Sequence, residues 1–263
     1  MSEKNFVFLR RKTGHLTFEF KKLMKKERKI AVITGASQGI GATISIGLAR
    51  EGYQVILIAR SKQNLEKVSH EIVTTCGNVS KPVLVPLDLT DYEAVDKTIR
   101  EIHHTFGRID VLVNAAGMFM DGSLDESVDN YKKIIDINLV AQYAILKTAA
   151  EMMKSQGFGY IFNIASRAGK YGFPGGGIYG STKYAFVGLT DSLYRELSPL
   201  GIRIISLCPG WVNTDMAVAA GTPLKADEMI QPEDILKTIL FLLSLSKSVC
   251  IKDIVFDMQK SIV

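Results

Sequence analysis

The chain has few of the features that mark secreted, metal-binding or membrane-spanning proteins. It contains three cysteines and four histidines among 263 residues. Cys76, Cys208 and Cys250 lie far apart, outside any C-x-x-C pair, so neither a disulfide framework nor a zinc site is indicated. There is no run of 18 apolar residues, and basic residues 10–12 interrupt the short apolar stretch near the N-terminus. We therefore expect free thiols, no metal, no membrane span and a cytoplasmic location.

The positive charge is concentrated at the N-terminus. Residues 1–29 carry ten Lys or Arg and three acids, which leaves 22 basic and 24 acidic residues in the other 234, a net charge near −2. Because a nucleic-acid-binding body would be basic, we expect no nucleic-acid partner. Binding of nucleic acid or a membrane surface by residues 1–29 alone is a separate alternative, and salt would weaken it steeply.

The composition changes between Lys29 and Ile30, where a lysine-rich run gives way to an apolar one. This boundary predicts a basic extension over residues 1–29 and one domain over residues 30–263. Within the extension, residues 5–20 fit either a hairpin or a disordered basic arm.

From Ile30 onward, short β-branched runs alternate with amphipathic segments. This pattern predicts an α/β fold, a Rossmann-type doubly wound parallel sheet with helices on both faces. About seven strands are predicted, at residues 30–34, 54–59, 82–86, 110–113, 159–165, 202–207 and 253–256. Ligands of such sheets bind beyond the carboxyl ends of the strands, so chemistry is expected there.

A glycine-rich turn joins the first of these strands to a helix, in the pattern G-x-x-x-G-x-G. Glycine lets the backbone approach a pyrophosphate, and the free N–H groups at the helix N-terminus attract the anion. A glycine-rich connection without a ligand is the alternative. We assign cofactor binding to Gly35, Ser37, Gln38, Gly39, Ile40 and Gly41.

The end of the second strand indicates which dinucleotide is bound. NAD sites usually offer an acid there for the ribose 2′-hydroxyl, whereas this strand is followed by Arg60. A guanidinium suits a 2′-phosphate, so NADP(H) is predicted, although a solvated surface arginine is the alternative. Asp88, after the third strand, could receive the adenine amino group or cap the next helix.

Three further residues point to proton-transfer chemistry. Ser166 follows the fifth strand, and Tyr179 and Lys183 are four residues apart on a predicted helix, so they share one face. An ammonium near a phenol favours the phenolate and moves its pKa toward neutrality, and a serine hydroxyl can stabilise a developing oxyanion. No G-x-S-x-G elbow surrounds Ser166, which argues against a serine nucleophile.

Asn138 lies on the buried stripe of a helix predicted over about residues 128–154. A buried amide needs partners. It could hold a water leading from Lys183, or it could satisfy backbone groups at a helix distortion.

Taken together, these residues resemble the classical short-chain dehydrogenases/reductases over about residues 28–260. The matching motifs are Thr34-Gly35-x-x-x-Gly39-x-Gly41, Asn114-Ala-Ala-Gly117, Asn138, Ser166, Tyr179-x-x-x-Lys183 and Pro209-Gly-x-Val212-x-Thr214. The resemblance implies that Tyr179 is the general acid/base, that Lys183 lowers its pKa and holds the nicotinamide ribose, that Ser166 orients the substrate, and that Asn138 supports a proton relay.

The resemblance also assigns further cofactor contacts. It implies that the backbone at Asn114, Ala115 and Gly117 passes the adenosine side, and that the segment with Pro209, Val212 and Thr214 contacts the nicotinamide carboxamide. Family members often form homodimers or homotetramers through two long helices, here residues 128–154 and 178–199. The chain departs from the pattern at Gln38, at Ala115 and in Asp257-Met-Gln-Lys, which replaces a frequent Asp-Gly-Gly.

We therefore expect an NADP(H)-dependent oxidoreductase that acts on a small-molecule carbonyl or alcohol. Residues 211–230 follow the sixth strand and are interpreted as a substrate lid. Seven residues could form an apolar lining of the substrate pocket, and ordinary loop packing is the alternative for each of them: Met118, Phe119, Met120, Tyr171, Phe173, Trp211 and Met216. The alternative is a non-catalytic NADP(H)-binding regulatory module.

Overall fold

The computed structural model describes residues 7–8, 28–77 and 79–261. Strands and helices alternate through these ranges. The strands are β1 (Val7–Phe8), β2 (Ile30–Thr34), β3 (Gln54–Ala59), β4 (Val83–Pro86), β5 (Val111–Asn114), β6 (Gly159–Ile164), β7 (Ile202–Pro209) and β8 (Asp253–Phe256). The helices are α1 (Gly39–Arg50), α2 (Lys62–Thr75), α3 (Tyr92–Phe106), α4 (Val128–Ile135), α5 (Ala141–Gln156), α6 (Gly177–Leu197), α7 (Asp215–Ala219) and α8 (Pro232–Ser244).

All strands join one parallel sheet in the order β1-β4-β3-β2-β5-β6-β7-β8. The seven predicted strands are confirmed, and β1 adds a short eighth strand beside β4. The strand order reverses between β2 and β5, where Thr34 pairs with Asn114. A crevice therefore opens beyond the carboxyl ends of these two strands.

The two faces of the sheet carry separate apolar cores because successive side chains of a strand point to opposite faces. In β2, Ala31 and Ile33 pack toward α1, α2 and α8, whereas Ile30 and Val32 pack toward α3, α5 and α6. Since both faces are covered, β2, β3 and β5 are buried throughout, whereas β8 is only partly buried. The rigid sheet holds the loops at its carboxyl edge in fixed positions.

One predicted helix is interrupted. The single helix expected over residues 128–154 is divided into α4 and α5 by a π-helical turn at Asp136–Val140. The apolar periodicity continues through this turn, so the pattern gave no sign of it. The helix predicted over residues 178–199 is observed as α6. The hairpin considered for residues 5–20 lies outside the described residues, apart from the β1 pair.

Within the described ranges, no helix is both long and apolar enough to cross a membrane.

Candidate active site

The turn between β2 and α1 packs closely against the loop that follows β5. Gly35 has a φ of +63°, and a Cβ atom there would lie 2.8 Å from the backbone of Ala115. A Cβ atom on Gly41 would collide with the Gly35 carbonyl oxygen. The N-cap residue of α1, Gln38, makes no side-chain hydrogen bond to the helix. The turn therefore requires glycine and leaves the first N–H groups of α1 open to an anion.

Two buried polar side chains secure the loop after β5. The Thr34 hydroxyl oxygen accepts hydrogen bonds from the N–H groups of Ala115 and Ala116, both at 3.2 Å. The Gln142 amide donates to the Ala116 carbonyl oxygen at 3.0 Å. Gln142 was not predicted from the sequence, although it lies four residues after Asn138 and so shares its helix face. These bonds hold the loop against the glycine turn.

A cavity of about 620 Å³ lies over the glycine turn and the loop after β5. It is lined by most of the residues to which cofactor binding was assigned: Gly35, Ser37, Gln38, Gly39, Ile40, Gly41, Arg60, Asp88, Ala115, Gly117 and Thr214. Asn114 differs, because its side chain is fully buried and donates to the Asn163 side-chain oxygen at 3.0 Å. It thus braces β5 against β6 behind the cavity wall.

The far end of this cavity contains opposite charges. Arg60 follows β3 at an exposed position, and Asp88 follows β4. The Asp88 carboxylate accepts hydrogen bonds from the Thr90 backbone at 3.0 Å and hydroxyl at 2.9 Å. These bonds, together with the nearby charge of Arg60, lower the pKa of Asp88. The cap of α3 is Asp91, whose carboxylate accepts from the Ala94 N–H at 3.0 Å.

A second cavity, of about 350 Å³, adjoins the first. Ser166, Tyr179 and Lys183 line it, together with Pro209 and Val212. Residues shared by both cavities form the passage between them: Ile40, Ala115, Ala116, Gly117, Thr214 and Met216. A ligand long enough to fill the first cavity can therefore reach Tyr179.

Ser166 and Tyr179 are hydrogen-bonded to one another. The Ser166 hydroxyl also accepts from the Ala168 N–H at 3.1 Å and lies 3.5 Å from the Pro209 carbonyl oxygen. Burial raises the pKa of Tyr179, and the bond to Ser166 opposes that rise. The phenol is therefore protonated at neutral pH. The lowering of this pKa by Lys183 stays a prediction.

Lys183 lies one helical turn after Tyr179 and is 5% exposed. Its Nζ donates to the Ile164 carbonyl oxygen at 3.2 Å and lies 5.7 Å from the centroid of the Tyr179 ring. Burial lowers the pKa of Lys183 to about 8. The side chain therefore brings a costly positive charge beside the phenol, in the wall of the second cavity.

Asn138 lies in the π-helical turn and is fully buried. Its Oδ1 accepts from the Met118 N–H at 2.8 Å, while its Nδ2 donates to the Met118 carbonyl at 2.9 Å and to the Thr182 hydroxyl at 3.2 Å. The structure thus supports a backbone-satisfying role at a helix distortion. A Cβ on Gly117 would lie 3.3 Å from Asn138 Oδ1 and 3.7 Å from Lys183 Nζ, so these groups meet around one point.

The second cavity has an apolar wall. Phe119, Trp211 and Phe173 line it, and the Phe119 ring lies 5.0 Å from the Tyr179 ring and 6.4 Å from the Trp211 ring. Met118 and Met216 also line it, whereas Met120 and Tyr171 do not. Five of the seven residues suggested from the sequence thus border the cavity.

The segment predicted as a lid, residues 211–230, forms part of the cavity wall through its first ten residues. It contains α7 and a short helical turn at Ala226–Glu228. Its two ends are joined where the Ile230 N–H donates to the Trp211 carbonyl at 3.0 Å. The segment therefore forms a loop closed at its base, and its action as a lid stays a prediction.

In the described part of the chain, no group of three or more His, Cys, Asp or Glu side chains is placed to hold a metal ion.

The fold, the glycine turn and the connected cavities define a dinucleotide-binding domain with proton-transfer residues beside the ligand cavity. Residues 29–224 match the family model of the short chain dehydrogenases. The chain belongs to this family, and it is an oxidoreductase of the short-chain dehydrogenase type.

Individual relatives extend this comparison. An uncharacterized oxidoreductase of Staphylococcus aureus (strain MRSA252) is 34% identical over 227 residues, which cover 86% of this chain and 95% of the relative. A crystal structure of a β-ketoacyl-[ACP] reductase from Bacteroides thetaiotaomicron is similar with a TM-score of 0.82 and 62% identity, covering 90% of this chain and 99% of that one. An alcohol dehydrogenase from Thermococcus sibiricus, complexed with 5-hydroxy-NADP, has a TM-score of 0.78 and 33% identity, with 88% and 97% of the two chains covered.

Proposed function

We propose that this protein reduces the carbonyl group of a small molecule with NADPH, using Tyr179 as the proton donor. The observation that carries the proposal is the meeting of Ser166, Tyr179 and Lys183 in the wall of the second cavity, which opens into the first. When bound, NADPH supplies the hydride that adds to the carbonyl carbon. The proton that completes the alcohol comes from the Tyr179 hydroxyl.

The glycine turn and Arg60 would hold the cofactor. A Cβ atom at Gly35 or Gly41 would fill the cradle, and the open N-terminus of α1 suits the pyrophosphate. Arg60 would bind the 2′-phosphate through charge-assisted hydrogen bonds. Solved relatives that carry NADP support this choice, among them the Thermococcus sibiricus dehydrogenase and ElxO.

The charge state of Tyr179 favours the reductive direction. Because burial raises its pKa, the phenol holds its proton at neutral pH and can donate it to the oxygen on which negative charge develops. Ser166 would donate a second hydrogen bond to that oxygen. Lys183 would stabilise the phenolate that remains and contact the nicotinamide ribose.

Asn138 would act by holding the loop that carries Met118 and Phe119. Its two hydrogen bonds to Met118 keep this loop beside Tyr179, and a third, to Thr182, ties the π-helical turn to α6. The proton relay inferred from the family resemblance would start from the neighbouring Lys183 and remains part of the proposal.

For the substrate we propose a 3-oxoacyl thioester. The apolar wall formed by Phe119, Phe173 and Trp211 suits an acyl chain. The 62% identical structure from Bacteroides thetaiotaomicron is described as a β-ketoacyl-[ACP] reductase, which supports the same class. A simple ketone or aldehyde is the alternative substrate, favoured by the 33% identical alcohol dehydrogenase.

The proposal is tested by fluorescence titration with NADPH and NADH, followed by NADPH oxidation with acetoacetyl-CoA and with a panel of simple ketones and aldehydes. Preferential binding of NADPH and oxidation by the thioester are expected. Turnover of simple carbonyls alone would reject the thioester but keep the reductase. Binding without turnover of either group would favour the non-catalytic module, for which the comparisons give no support.

The cytoplasmic location and the homodimeric or homotetrameric state stay predictions, and binding of nucleic acid or a membrane surface by residues 1–29 stays an alternative.

A further inference from the structure

The C-terminal tail, residues 257–260, leaves the sheet beside the substrate cavity. It follows β8, whose last residue, Phe256, pairs with Pro209 at the end of β7. The Phe256 carbonyl accepts a hydrogen bond from the Gly210 N–H at 3.0 Å. The tail therefore starts directly behind the segment that leads from Pro209 to Trp211.

Met258 fills the space behind that segment. It is 3% exposed, and its sulfur accepts a hydrogen bond from the Trp211 N–H at 3.2 Å. A Cβ atom on Gly210 would collide with the sulfur, so the thioether rests against the backbone at that residue. Trp211 in turn reaches Tyr179 through the Phe119 ring. A continuous line of contacts thus connects Met258 with the proposed proton donor.

Ion pairs on either side of Met258 tie the tail to the segment after β6 and to the lid. Asp257 pairs with Arg167, the residue after Ser166. Lys260 pairs with Glu228 of the lid at 2.5 Å. Such pairs are weak individually because they are partly solvated, so they fix the direction of the tail, while the buried Met258 supplies most of the contact.

We propose that residues 257–260 form a strap that positions Trp211 and the lid, with Met258 as a positioning residue for the substrate cavity. The frequent Asp-Gly-Gly sequence would place glycine at position 258, which could make neither the sulfur contact nor the packing. The strap therefore requires the methionine that this chain has instead. Its kinetic consequence rests on the proposed function, whereas its structural consequence does not.

Trp211 is the single tryptophan of the chain, so its fluorescence reports the effect of the strap directly. Met258→Ala should raise the acrylamide quenching constant of Trp211 by about twofold, because removing the thioether leaves a cavity behind the main chain of Trp211. Met153→Ala is the matched control: Met153 is equally buried, on α5 in the opposite core, and its loss should leave Trp211 quenching unchanged.

Kinetics should separate positioning from stability. Met258→Ala is expected to raise the KM for the carbonyl substrate by about tenfold, with kcat within about twofold and NADPH affinity unchanged. Met153→Ala should lower the Tm with no change in KM. Met258→Leu, which conserves volume, should restore most of the wild-type KM.

A second pair of variants covers the case in which Met258→Ala fails to fold. Lys260→Glu should increase Trp211 quenching, and adding Glu228→Lys should reverse that increase. Wild-type quenching and KM in Met258→Ala would disprove the proposed role of the strap. If Met258→Ala does not fold, wild-type quenching and KM in Lys260→Glu would disprove it. If no carbonyl is turned over, the quenching results alone decide, so failure of the strap and failure of the proposed reaction are distinguishable.

Discussion

Lys183 is a buried cation with little to stabilise its charge. It is 5% exposed and donates to one backbone carbonyl at 3.2 Å. Burial lowers its pKa from 10.5 to about 8. Since one pKa unit corresponds to about 1.4 kcal/mol, the charged form opposes folding by about 3 kcal/mol at neutral pH. Lys183→Met conserves the length of the aliphatic part of the side chain and removes the charge. Without cofactor, the substitution should therefore stabilise the protein by about that amount.

The gain should disappear as the pH rises. Below pH 8 the folded and unfolded chains both hold the Lys183 proton, and the full penalty applies. Between about pH 8 and 10.4 the folded chain releases the proton while the unfolded chain keeps it, so the penalty falls by about 1.4 kcal/mol per pH unit. Thermal unfolding should show a Tm roughly 6–12 °C above wild type at pH 7 and nearly equal values at pH 10.

Lys170→Met is the control with the opposite sign. Burial lowers the pKa of Lys170, but the hydrogen bond and charge of Asp253 outweigh it, and the net shift is upward. This pair stabilises the fold below the ordinary lysine pKa, and the stabilisation is lost as the pH rises through the folded pKa. Lys170→Met should therefore lower the Tm at pH 7. A Lys183→Met protein that is less stable than wild type at pH 7, or equally favoured at pH 7 and 10, would refute the reasoning.

Three further predictions concern the cofactor cavity and its support. Arg60→Asp should weaken NADPH binding about 100-fold and spare NADH in a fluorescence titration, whereas Lys62→Asp, the same charge change outside the cavity lining, should alter neither. Asn138→Ala should lower the free energy of unfolding by about 2–4 kcal/mol in urea, because two partly buried backbone groups of Met118 and the buried Thr182 hydroxyl each lose a partner; a loss below about 1 kcal/mol would contradict this. Gly41→Ala should abolish NADPH binding by calorimetry, while Gly188→Ala, where a Cβ meets open space, should bind normally.

The sheet could be predicted from the sequence because its strands are short apolar runs buried on both faces, and their boundaries were accurate within about three residues. A helix distortion at Asn138 was one of two possibilities that the sequence left open, because the buried residues Ile134, Asn138 and Ala141 are spaced as in an ordinary helix. The contact that accompanies the π-helical turn, between Asn138 and the backbone of Met118, joins residues twenty positions apart in the chain.

The site was likewise predictable only in part. Residue types and spacing predicted Ser166, Tyr179 and Lys183, because these residues lie at one strand end and on one helix turn. The contacts that place the cavity walls link distant segments: Gln142 with the loop after β5, and Met258 with Trp211. Such pairs carry no local pattern, so the fold is needed to find them.

The most direct test of the central claim is NADPH oxidation by Tyr179→Phe, with Tyr184→Phe as the matched control on the same helix. Tyr184 is 46% exposed and does not line the substrate cavity, so its variant should retain wild-type turnover. Tyr179→Phe should lose at least about 10³-fold in kcat and bind NADPH with unchanged affinity, because a proton donor in the transition state is removed. Turnover by Tyr179→Phe close to that of Tyr184→Phe would contradict the assignment of Tyr179 as the proton donor.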